Sequence, residues 1–281
     1  MKRVTVSFLQ GKKKRHQKIT ALTAYDFPTA EVLDKAGIDL ILVGDSLGMV
    51  VLGYASTRFV TMDEMIHHTK AVRRGVKRAY LVGDMPYRSY ETPEASYRNA
   101  SRFLEEGGCD AVKLEGGRRI LSALRYLRKK KIRVQGHLGL LPQSVRPGAP
   151  FRIQARDLLS ARKLIEEARL LEGEGVFSIV LECIPYEVAR LVTEKLAIPT
   201  IGIGAGPFCD GQILVIHDLL GFFQKFRPRF VKPYADLSDT IHQAVCRYRE
   251  EVARRRFPML RHAFKIAPEE MRYLRKGLEK K

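Results

Sequence analysis

The chain lacks the cysteine pairs that build zinc sites and disulfide-rich folds. It has four cysteines, at positions 109, 183, 209 and 246, and none of them has the C-x-x-C spacing of a zinc site. Cysteines scattered in this way also give no disulfide framework and are typical of proteins from a reducing compartment. We therefore expect neither a structural zinc ion nor disulfide bonds.

A long apolar run is also missing. Residues 1–15 are basic, and no stretch of the sequence approaches the roughly 20 consecutive apolar residues that span a bilayer. The first residues likewise lack the apolar core of a signal peptide. Together with the unpaired cysteines, this pattern predicts a soluble cytoplasmic protein with no membrane partner.

Acidic residues are scarce relative to basic ones. The chain has 31 Asp and Glu against 50 Lys and Arg, which gives a formal net charge of +19. Such an excess is also typical of nucleic-acid-binding proteins. However, the basic runs at residues 12–15 and 247–281 carry no helix-turn-helix, zinc finger or aromatic residues on strands. We therefore favour a solvated basic surface and expect no specific nucleic-acid partner; nucleic-acid affinity that falls steeply with salt would indicate the alternative.

Four acidic residues nevertheless lie at positions that indicate a site, because each of them ends an apolar run. The runs lead into Asp45, Asp84, Glu115 and Glu182. A run without a polar face is typical of a strand covered on both sides, as in a parallel sheet wrapped in helices. Because ligands bind at the carboxyl ends of such strands, these four side chains are candidates for one common site.

The order of strands and helices indicates the fold class. Eight strand-like segments alternate with helical stripes or loops, and the length of 281 residues suits a barrel that commonly uses about 250 residues in one domain. We therefore predict a (β/α)8 TIM barrel of the α/β class. The predicted strands are residues 19–26, 40–45, 80–84, 111–115, 132–137, 178–182, 199–206 and 210–218.

The fourth predicted strand places two charged residues on one face. Strand alternation directs Lys113 and Glu115 to the same side, into the barrel. A mutual salt bridge in a core layer would explain them without any function. The arrival of Asp45 and Asp84 at the same mouth favours a ligand site instead. His137, at the end of the fifth strand, becomes a candidate only through its position, since a lone histidine is more often structural.

The donor types indicate the chemistry. Asp45, Asp84 and Glu115 are hard oxygen donors, which favour Mg²⁺ over zinc. A 2-oxo acid can chelate such an ion, which then stabilises the enolate formed when a neighbouring proton is removed. Lys113 would neutralise the substrate carboxylate, and Glu182 is the candidate base. These residues predict metal-assisted carbon–carbon chemistry on a keto acid.

Nine segments of the chain also resemble a known family, ketopantoate hydroxymethyltransferase (3-methyl-2-oxobutanoate hydroxymethyltransferase). They follow the family's order up to about Pro258, so the resemblance covers nearly the whole chain. It implies a barrel domain over residues 1–258 and a basic C-terminal extension over residues 259–281. The segments are residues 23–26, 43–48, 68–72, 83–87, 112–117, 136–140, 181–185, 201–206 and 210–212.

The resemblance implies a specific reaction. A one-carbon unit passes from 5,10-methylenetetrahydrofolate to 3-methyl-2-oxobutanoate and gives 2-dehydropantoate, for pantothenate and coenzyme A synthesis. It also implies that the protein is a cytoplasmic homo-oligomer, often a decamer. By resemblance the roles fall on seven residues: Asp45 and Asp84 bind Mg²⁺ and Glu115 completes its shell; Asp45, Ser46, Asp84 and Lys113 contact the keto acid; Glu182 takes the proton; His137 lies near the site.

One loop departs from the family pattern. After the fifth strand the family carries a glycine-rich segment, whereas residues 147–155 read Pro-Gly-Ala-Pro-Phe-Arg-Ile-Gln-Ala. The aromatic and basic positions persist. The whole loop after the fifth strand, residues 138–155, is long enough to form a lid over the site. A related barrel that acts as a Mg²⁺-dependent keto-acid lyase or mutase would share the metal carboxylates, but it need not share Lys113 or the segment 182–185.

Overall fold

The computed structural model describes residues 2–226 and 228–278. The chain divides into two compact units, Met1–Tyr234 and Ala235–Lys281. The first unit contains all the residues that the sequence nominates for the site. The predicted boundary at residue 258 lies inside the second unit and stays a prediction.

The first unit is a closed barrel of eight parallel strands, which confirms the predicted (β/α)8 fold. The strands follow one another around the barrel in chain order, and the last strand pairs with the first. Each strand has four to six residues, after which the chain leaves the sheet for a helix or loop. The strands are β1 (Ile19–Thr23), β2 (Leu40–Val43), β3 (Tyr80–Asp84), β4 (Ala111–Glu115), β5 (Val134–Gly139), β6 (Ser178–Glu182), β7 (Thr200–Ile203) and β8 (Gly211–Leu214).

Helices cover the barrel, and the second unit also contains helices. Several helices begin at N-cap residues that can be recognised in the sequence. Examples are Thr61, which forms a capping box with Glu64, and Thr92, which precedes a proline. Helices in the described part of the chain are α1 (Val6–Lys14), α2 (Phe27–Lys35), α3 (Leu47–Val50), α4 (Met62–Gly75), α5 (Pro93–Glu105), α6 (Leu121–Lys129), α7 (Leu158–Gly173), α8 (Tyr186–Lys195), α9 (Ile216–Leu219), α10 (Leu237–Ala253) and α11 (Pro268–Leu278).

Alternation along the strands separates two apolar cores. In β3, Tyr80 and Val82 pack inside the barrel, whereas Leu81 packs in the layer between strands and helices. In β4, Val112 and Leu114 likewise join the outer layer. The predicted inward direction of Lys113 and Glu115 follows from the same alternation and is confirmed by their burial and cavity contacts.

Several elements differ from the sequence prediction. Strands β1, β2 and β7 end two or three residues earlier than predicted, and β5 runs over Val134–Gly139 rather than over residues 132–137. The eighth strand ends at Leu214 rather than at residue 218, because the chain turns into the short helix α9. Residues 47–61 after β2 are apolar, contain glycine and are too long for a simple turn, which predicts an active-site loop; the structure places α3 within them. The N-terminal helix α1 was not predicted, since a basic run with a glycine gives little helical pattern; it forms because Leu9 is buried and Thr5 caps its first turn.

Ion pairs also fix α1 to the strand starts of the barrel. Lys12 Nζ lies 2.5 Å from Asp39 Oδ2, and Lys13 Nζ lies 2.7 Å from Asp210 Oδ2. Asp39 further accepts hydrogen bonds from the backbone and hydroxyl groups of Thr20. Burial raises the pKa of Asp39, but the bonds from Lys12 and Thr20 outweigh it and lower the pKa below its ordinary value.

We predict that Asp39→Asn lowers the free energy of unfolding at pH 7 by about 3 kcal/mol, because Lys12 loses a buried partner. A lowered pKa in the folded state stabilises the fold above the unfolded pKa of about 4 and loses that effect as the pH falls further. The difference between variant and unaltered protein should therefore shrink below about pH 4. Guanidinium unfolding at pH 7 and pH 3.5 measures both effects.

Glu31→Gln is the matched control, since its pair with Lys35 is exposed and should contribute less than about 1 kcal/mol. Equal losses in Asp39→Asn and Glu31→Gln at pH 7 would contradict the account of Asp39.

Candidate active site

A cavity of about 580 Å³ opens where the strands of the barrel end. Parallel strands deliver their last side chains to this mouth, as in other barrels of this class. The loop after β2, which the sequence nominated for the site, also contributes to the lining through Met49, Val50 and Thr57. All seven residues nominated from the sequence line the same cavity: Asp45, Ser46, Asp84, Lys113, Glu115, His137 and Glu182.

The first acidic pair comes from β2 and β3. Asp84 is the last residue of β3 and is 2% exposed, and Asp45 follows β2 and is 4% exposed. The backbone N–H of Asp45 lies 3.4 Å from Asp84 Oδ2, which brings the two strand ends together. Asp84 also accepts a hydrogen bond of 2.5 Å from Lys113 Nζ.

Lys113 is the buried cation of the site. It lies 2.5 Å from Asp84 and 3.9 Å from Glu115, so the salt bridge considered from the sequence forms mainly to Asp84. Burial lowers the pKa of Lys113, but the neighbouring carboxylates outweigh it and raise the pKa above its ordinary value. The ammonium therefore stays charged at neutral pH inside the cavity.

His137 stands between two acids. Its Nδ1 lies 3.3 Å from Glu115 Oε1, and its Nε2 lies 3.2 Å from Glu182 Oε2. Neither contact has the angle of a hydrogen bond, and both are ion-pair distances. Burial and Lys113 lower the pKa of His137, but Glu115 and Glu182 outweigh them and raise it to about 9. A protonated His137 therefore connects β4, β5 and β6 at neutral pH.

Glu182 is the least buried acid of the cluster, and it lines the cavity as the last residue of β6. Its carbonyl oxygen accepts a hydrogen bond of 2.8 Å from the N–H of Leu140. Gly139 makes this approach possible, because a Cβ there would lie 2.2 Å from the same oxygen and the residue has φ +94°. Glycine at this position thus holds the end of β6 beside the loop that follows β5.

The donor set suits a divalent cation. Two buried oxygens, Asp84 Oδ1 and Glu115 Oε1, have no hydrogen-bond partner among the described residues. Burial and the charge of Asp84 raise the pKa of Asp45 well above its ordinary value, and burial raises that of Asp84 despite Lys113. A cation held among these carboxylates would favour their charged forms. It would also give the two oxygens that lack a hydrogen-bond partner a positive charge to bind.

The residues fit an ion that is shared with a ligand. Within residues 2–226 and 228–278, no group of three or more His, Cys, Asp or Glu side chains is arranged to hold a metal ion by itself. Mg²⁺ usually takes only one or two protein carboxylates and completes its six positions with water and substrate oxygens. The three-residue set Asp45, Asp84 and Glu115 stays a prediction.

Two polar residues at the site were missed in the sequence. Gln143 is 2% exposed and donates a hydrogen bond of 2.9 Å to Asp45 Oδ2. The hydroxyl of Tyr25 lies 2.8 Å from Ser46 Oγ, and it is buried as well. The sequence indicates Gln143 only by its position. It is a polar residue that follows three apolar residues, Leu140, Leu141 and Pro142, just after a strand that ends at the mouth.

The outer part of the cavity is aromatic and basic. The rings of Phe151 and Phe226 lie edge to face with centroids 6.4 Å apart, and Arg152 and Arg229 also line the wall. Phe230 packs over Gly204, where a Cβ would lie 2.6 Å from the ring. The loop that departs from the family pattern thus lines the mouth with Phe151 and Arg152.

Comparison with known proteins identifies the family. The model of the family described as ketopantoate hydroxymethyltransferase matches residues 3–260. The chain belongs to the ketopantoate hydroxymethyltransferase family. The resemblance read from the nine sequence segments is therefore confirmed.

Curated members of the ketopantoate hydroxymethyltransferase family match over nearly the whole chain. A 3-methyl-2-oxobutanoate hydroxymethyltransferase from Syntrophomonas wolfei is 54% identical over 270 residues, which cover 96% of this chain and 98% of the relative. The enzyme of the same name from Moorella thermoacetica is 54% identical over 265 residues, with 94% and 98% covered. The predicted activity class, a hydroxymethyltransferase, is confirmed by these relatives.

Solved structures show the same fold at low sequence identity. Phosphoenolpyruvate phosphomutase from Streptomyces platensis has a TM-score of 0.60 and 12% identity, covering 98% of this chain and 96% of that chain. A phosphonopyruvate hydrolase complex with oxalate and Mg²⁺ has a TM-score of 0.58 and 13% identity, covering 98% and 96%. These likenesses support the barrel of this family member.

No helix in the described ranges of the chain has both the length and the apolar character needed to cross a membrane.

Proposed function

We propose that the protein transfers a hydroxymethyl unit from 5,10-methylenetetrahydrofolate to 3-methyl-2-oxobutanoate and gives 2-dehydropantoate, through an enolate stabilised by Mg²⁺. The observation that carries this proposal is the convergence of Asp45, Asp84, Lys113 and Glu182 on one cavity at the strand ends. The reaction would serve pantothenate and coenzyme A synthesis, as the family resemblance implies.

Three acids are proposed to hold the cation. Asp45 and Asp84 would bind Mg²⁺ and Glu115 would complete its shell. This assignment is supported by Asp84 Oδ1 and Glu115 Oε1, which have no hydrogen-bond partner among the described residues. A bound Mg²⁺ stabilises the negative charge that develops on a keto oxygen. The phosphonopyruvate hydrolase solved with oxalate and Mg²⁺ also supports this assignment, since oxalate and a 2-oxo acid chelate through similar oxygens.

Lys113 and Ser46 are proposed to hold the keto acid together with Asp45 and Asp84. The buried ammonium of Lys113 supplies a fixed positive charge for the substrate carboxylate. Ser46 contacts Tyr25, so the direction of its hydroxyl is set by a buried partner. These groups would orient the branched carbon of the substrate toward β6.

Glu182 is proposed as the base. It would take the proton from the branched carbon, and the electron pair left there would form the new bond to the one-carbon unit. Water would first cleave both C–N bonds of the methylene bridge, which releases tetrahydrofolate and leaves the one-carbon unit as formaldehyde. After the carbon–carbon bond has formed, the former formaldehyde oxygen would take a proton and become the hydroxyl group. His137 would hold Glu182 in place through the 3.2 Å contact and is proposed to act by positioning.

The outer cavity supports a flat, anionic one-carbon donor. The rings of Phe151, Phe226 and Phe230 offer apolar contact to a pterin, while Arg152 and Arg229 offer positive charge to carboxylates. The whole cavity, about 580 Å³, also exceeds what a five-carbon acid would fill and lies within the usual range for ligand pockets.

Two further properties are proposed from the same basis. We place the protein in the cytoplasm, which its four free cysteines support. We also propose a homo-oligomer, a decamer by family resemblance. In the second unit, α10 buries none of its residues and leaves Ile241, Val245, Tyr248 and Val252 exposed along one side, as an interface helix would.

The test of the reaction is incubation with 3-methyl-2-oxobutanoate, Mg²⁺ and 5,10-methylenetetrahydrofolate, with products identified by mass spectrometry. We expect 2-dehydropantoate and tetrahydrofolate in equal amounts. Cleavage of the keto acid without formation of 2-dehydropantoate would contradict the proposal and indicate the lyase alternative.

A further inference from the structure

Gln143 lies in a short 3-10 turn, Pro142–Ser144, immediately after the end of β5. Although it belongs to the irregular loop after β5, which lines the cavity with Pro142 and Phe151, Gln143 is only 2% exposed. The turn is held by hydrogen bonds of 2.8 Å from Ser144 N–H to the Leu141 carbonyl and of 3.1 Å from Val145 N–H to the Pro142 carbonyl. The turn therefore gives the amide, which points to Asp45, a fixed base.

Every polar group of the Gln143 side chain has a partner. Nε2 donates to Asp45 Oδ2 and to the Met85 carbonyl oxygen, both at 2.9 Å. Oε1 accepts a bond of 2.7 Å from the Tyr90 hydroxyl. The reverse orientation of the amide would face its oxygen toward the Met85 carbonyl, so this network admits one orientation only.

The same residue also contacts a second acid. The backbone N–H of Gln143 donates to Glu115 Oε2 at 3.2 Å, and the Tyr90 hydroxyl accepts from the N–H of Glu115 at 3.3 Å. One turn thus fixes one oxygen of Asp45 and one of Glu115. The other oxygen of Glu115, Oε1, has no hydrogen-bond partner among the described residues and faces the cluster.

We propose that Gln143 is a positioning residue for the divalent cation: it orients Asp45 and Glu115 and thereby couples the loop after β5 to the metal site. This inference rests on the proposed function. An amide suits the task because it donates to a carboxylate without adding charge, whereas another acid would repel Asp45. Loss of such an outer partner typically weakens metal binding by about 10- to 100-fold.

The test is Mn²⁺ binding to the full-length protein without substrate, followed by the loss of the free-ion electron paramagnetic resonance signal. Gln143→Met keeps the length, retains the backbone bond to Glu115 and removes the side-chain hydrogen bonds, including the one to Asp45, and we expect its Kd for Mn²⁺ to rise about 10- to 100-fold. Gln135→Met is the matched control, because Gln135 is also a buried amide, and among the described residues its side chain donates a hydrogen bond to Ser178 only. Its Kd should stay within about twofold of the unaltered value, well below the effect of an outer partner.

Tyr90→Phe tests the same network with a smaller change, and thermal unfolding checks that each variant folds. Removal of one hydrogen bond to Gln143 should raise the Kd for Mn²⁺ by about 2- to 10-fold. An unchanged Kd in Gln143→Met would overturn the inference about Gln143 but not the proposed metal site. If Gln143→Met does not fold, an unchanged Kd in Tyr90→Phe would do the same. No Mn²⁺ binding by the unaltered protein would overturn the proposed metal site and the inference with it.

Discussion

Glu182→Gln is expected to abolish the exchange of the substrate proton with solvent. In deuterium oxide, with 3-methyl-2-oxobutanoate and Mg²⁺ but no folate, the unaltered protein should exchange the proton on the branched carbon. Glutamine keeps the shape of Glu182 but cannot accept a proton, so the exchange rate should fall by about 10²- to 10⁴-fold. Proton nuclear magnetic resonance of the keto acid measures the rate directly.

Because the assay contains no folate, it measures proton removal by the base and does not depend on the donor site. Glu187→Gln is the matched control, since Glu187 lies five residues away on the exposed side of α8 and carries the same group. Its exchange rate should equal that of the unaltered protein. Exchange that continues at the full rate in Glu182→Gln would remove Glu182 as the base, whatever the effect on overall turnover.

Asp84→Asn is expected to remove the stabilisation that a divalent cation gives the folded protein. A ligand present at 100 times its Kd should raise the free energy of unfolding by about 2.7 kcal/mol. Asparagine loses the charge that attracts the ion and leaves Asp45 and Glu115 as the remaining acids around Lys113. At the same Mg²⁺ concentration the variant should therefore gain almost nothing, as measured by thermal unfolding with and without Mg²⁺.

The control for this prediction is Asp63→Asn, because the Asp63 side chain is 85% exposed and pairs with Arg102 on the surface. It should keep the full stabilisation by Mg²⁺. Equal stabilisation of Asp84→Asn and the unaltered protein would show that the ion binds elsewhere.

The parts of the site that strand periodicity controls could be predicted from the sequence. Buried runs that end in Asp84, Glu115 and Glu182 identified both the strands and the mouth at which they meet, because parallel strands deliver their ends to one edge. Alternation along β4 gave the inward direction of Lys113 in the same way. The fold and the acidic cluster followed from these two regularities.

The parts that depend on tertiary contacts could not be predicted. Gln143 lies on an irregular turn, carries no charge and repeats no pattern, and its role depends on Asp45, which lies 98 residues earlier in the chain. The N-terminal helix was missed for a related reason: its stability comes from the burial of Leu9 and from the ion pairs of Lys12 and Lys13, which helix propensity does not report.

The most direct test of the central claim is a crystal structure with Mn²⁺ and 3-methyl-2-oxobutanoate, with the ion located by its anomalous scattering. The account predicts one ion that contacts carboxylate oxygens of both Asp45 and Asp84 at roughly the short distances of a hard octahedral cation. The keto and carboxylate oxygens of the substrate should complete its shell, with the branched carbon facing Glu182. An ion that contacts neither aspartate, or a keto acid bound away from Glu182, would contradict the account.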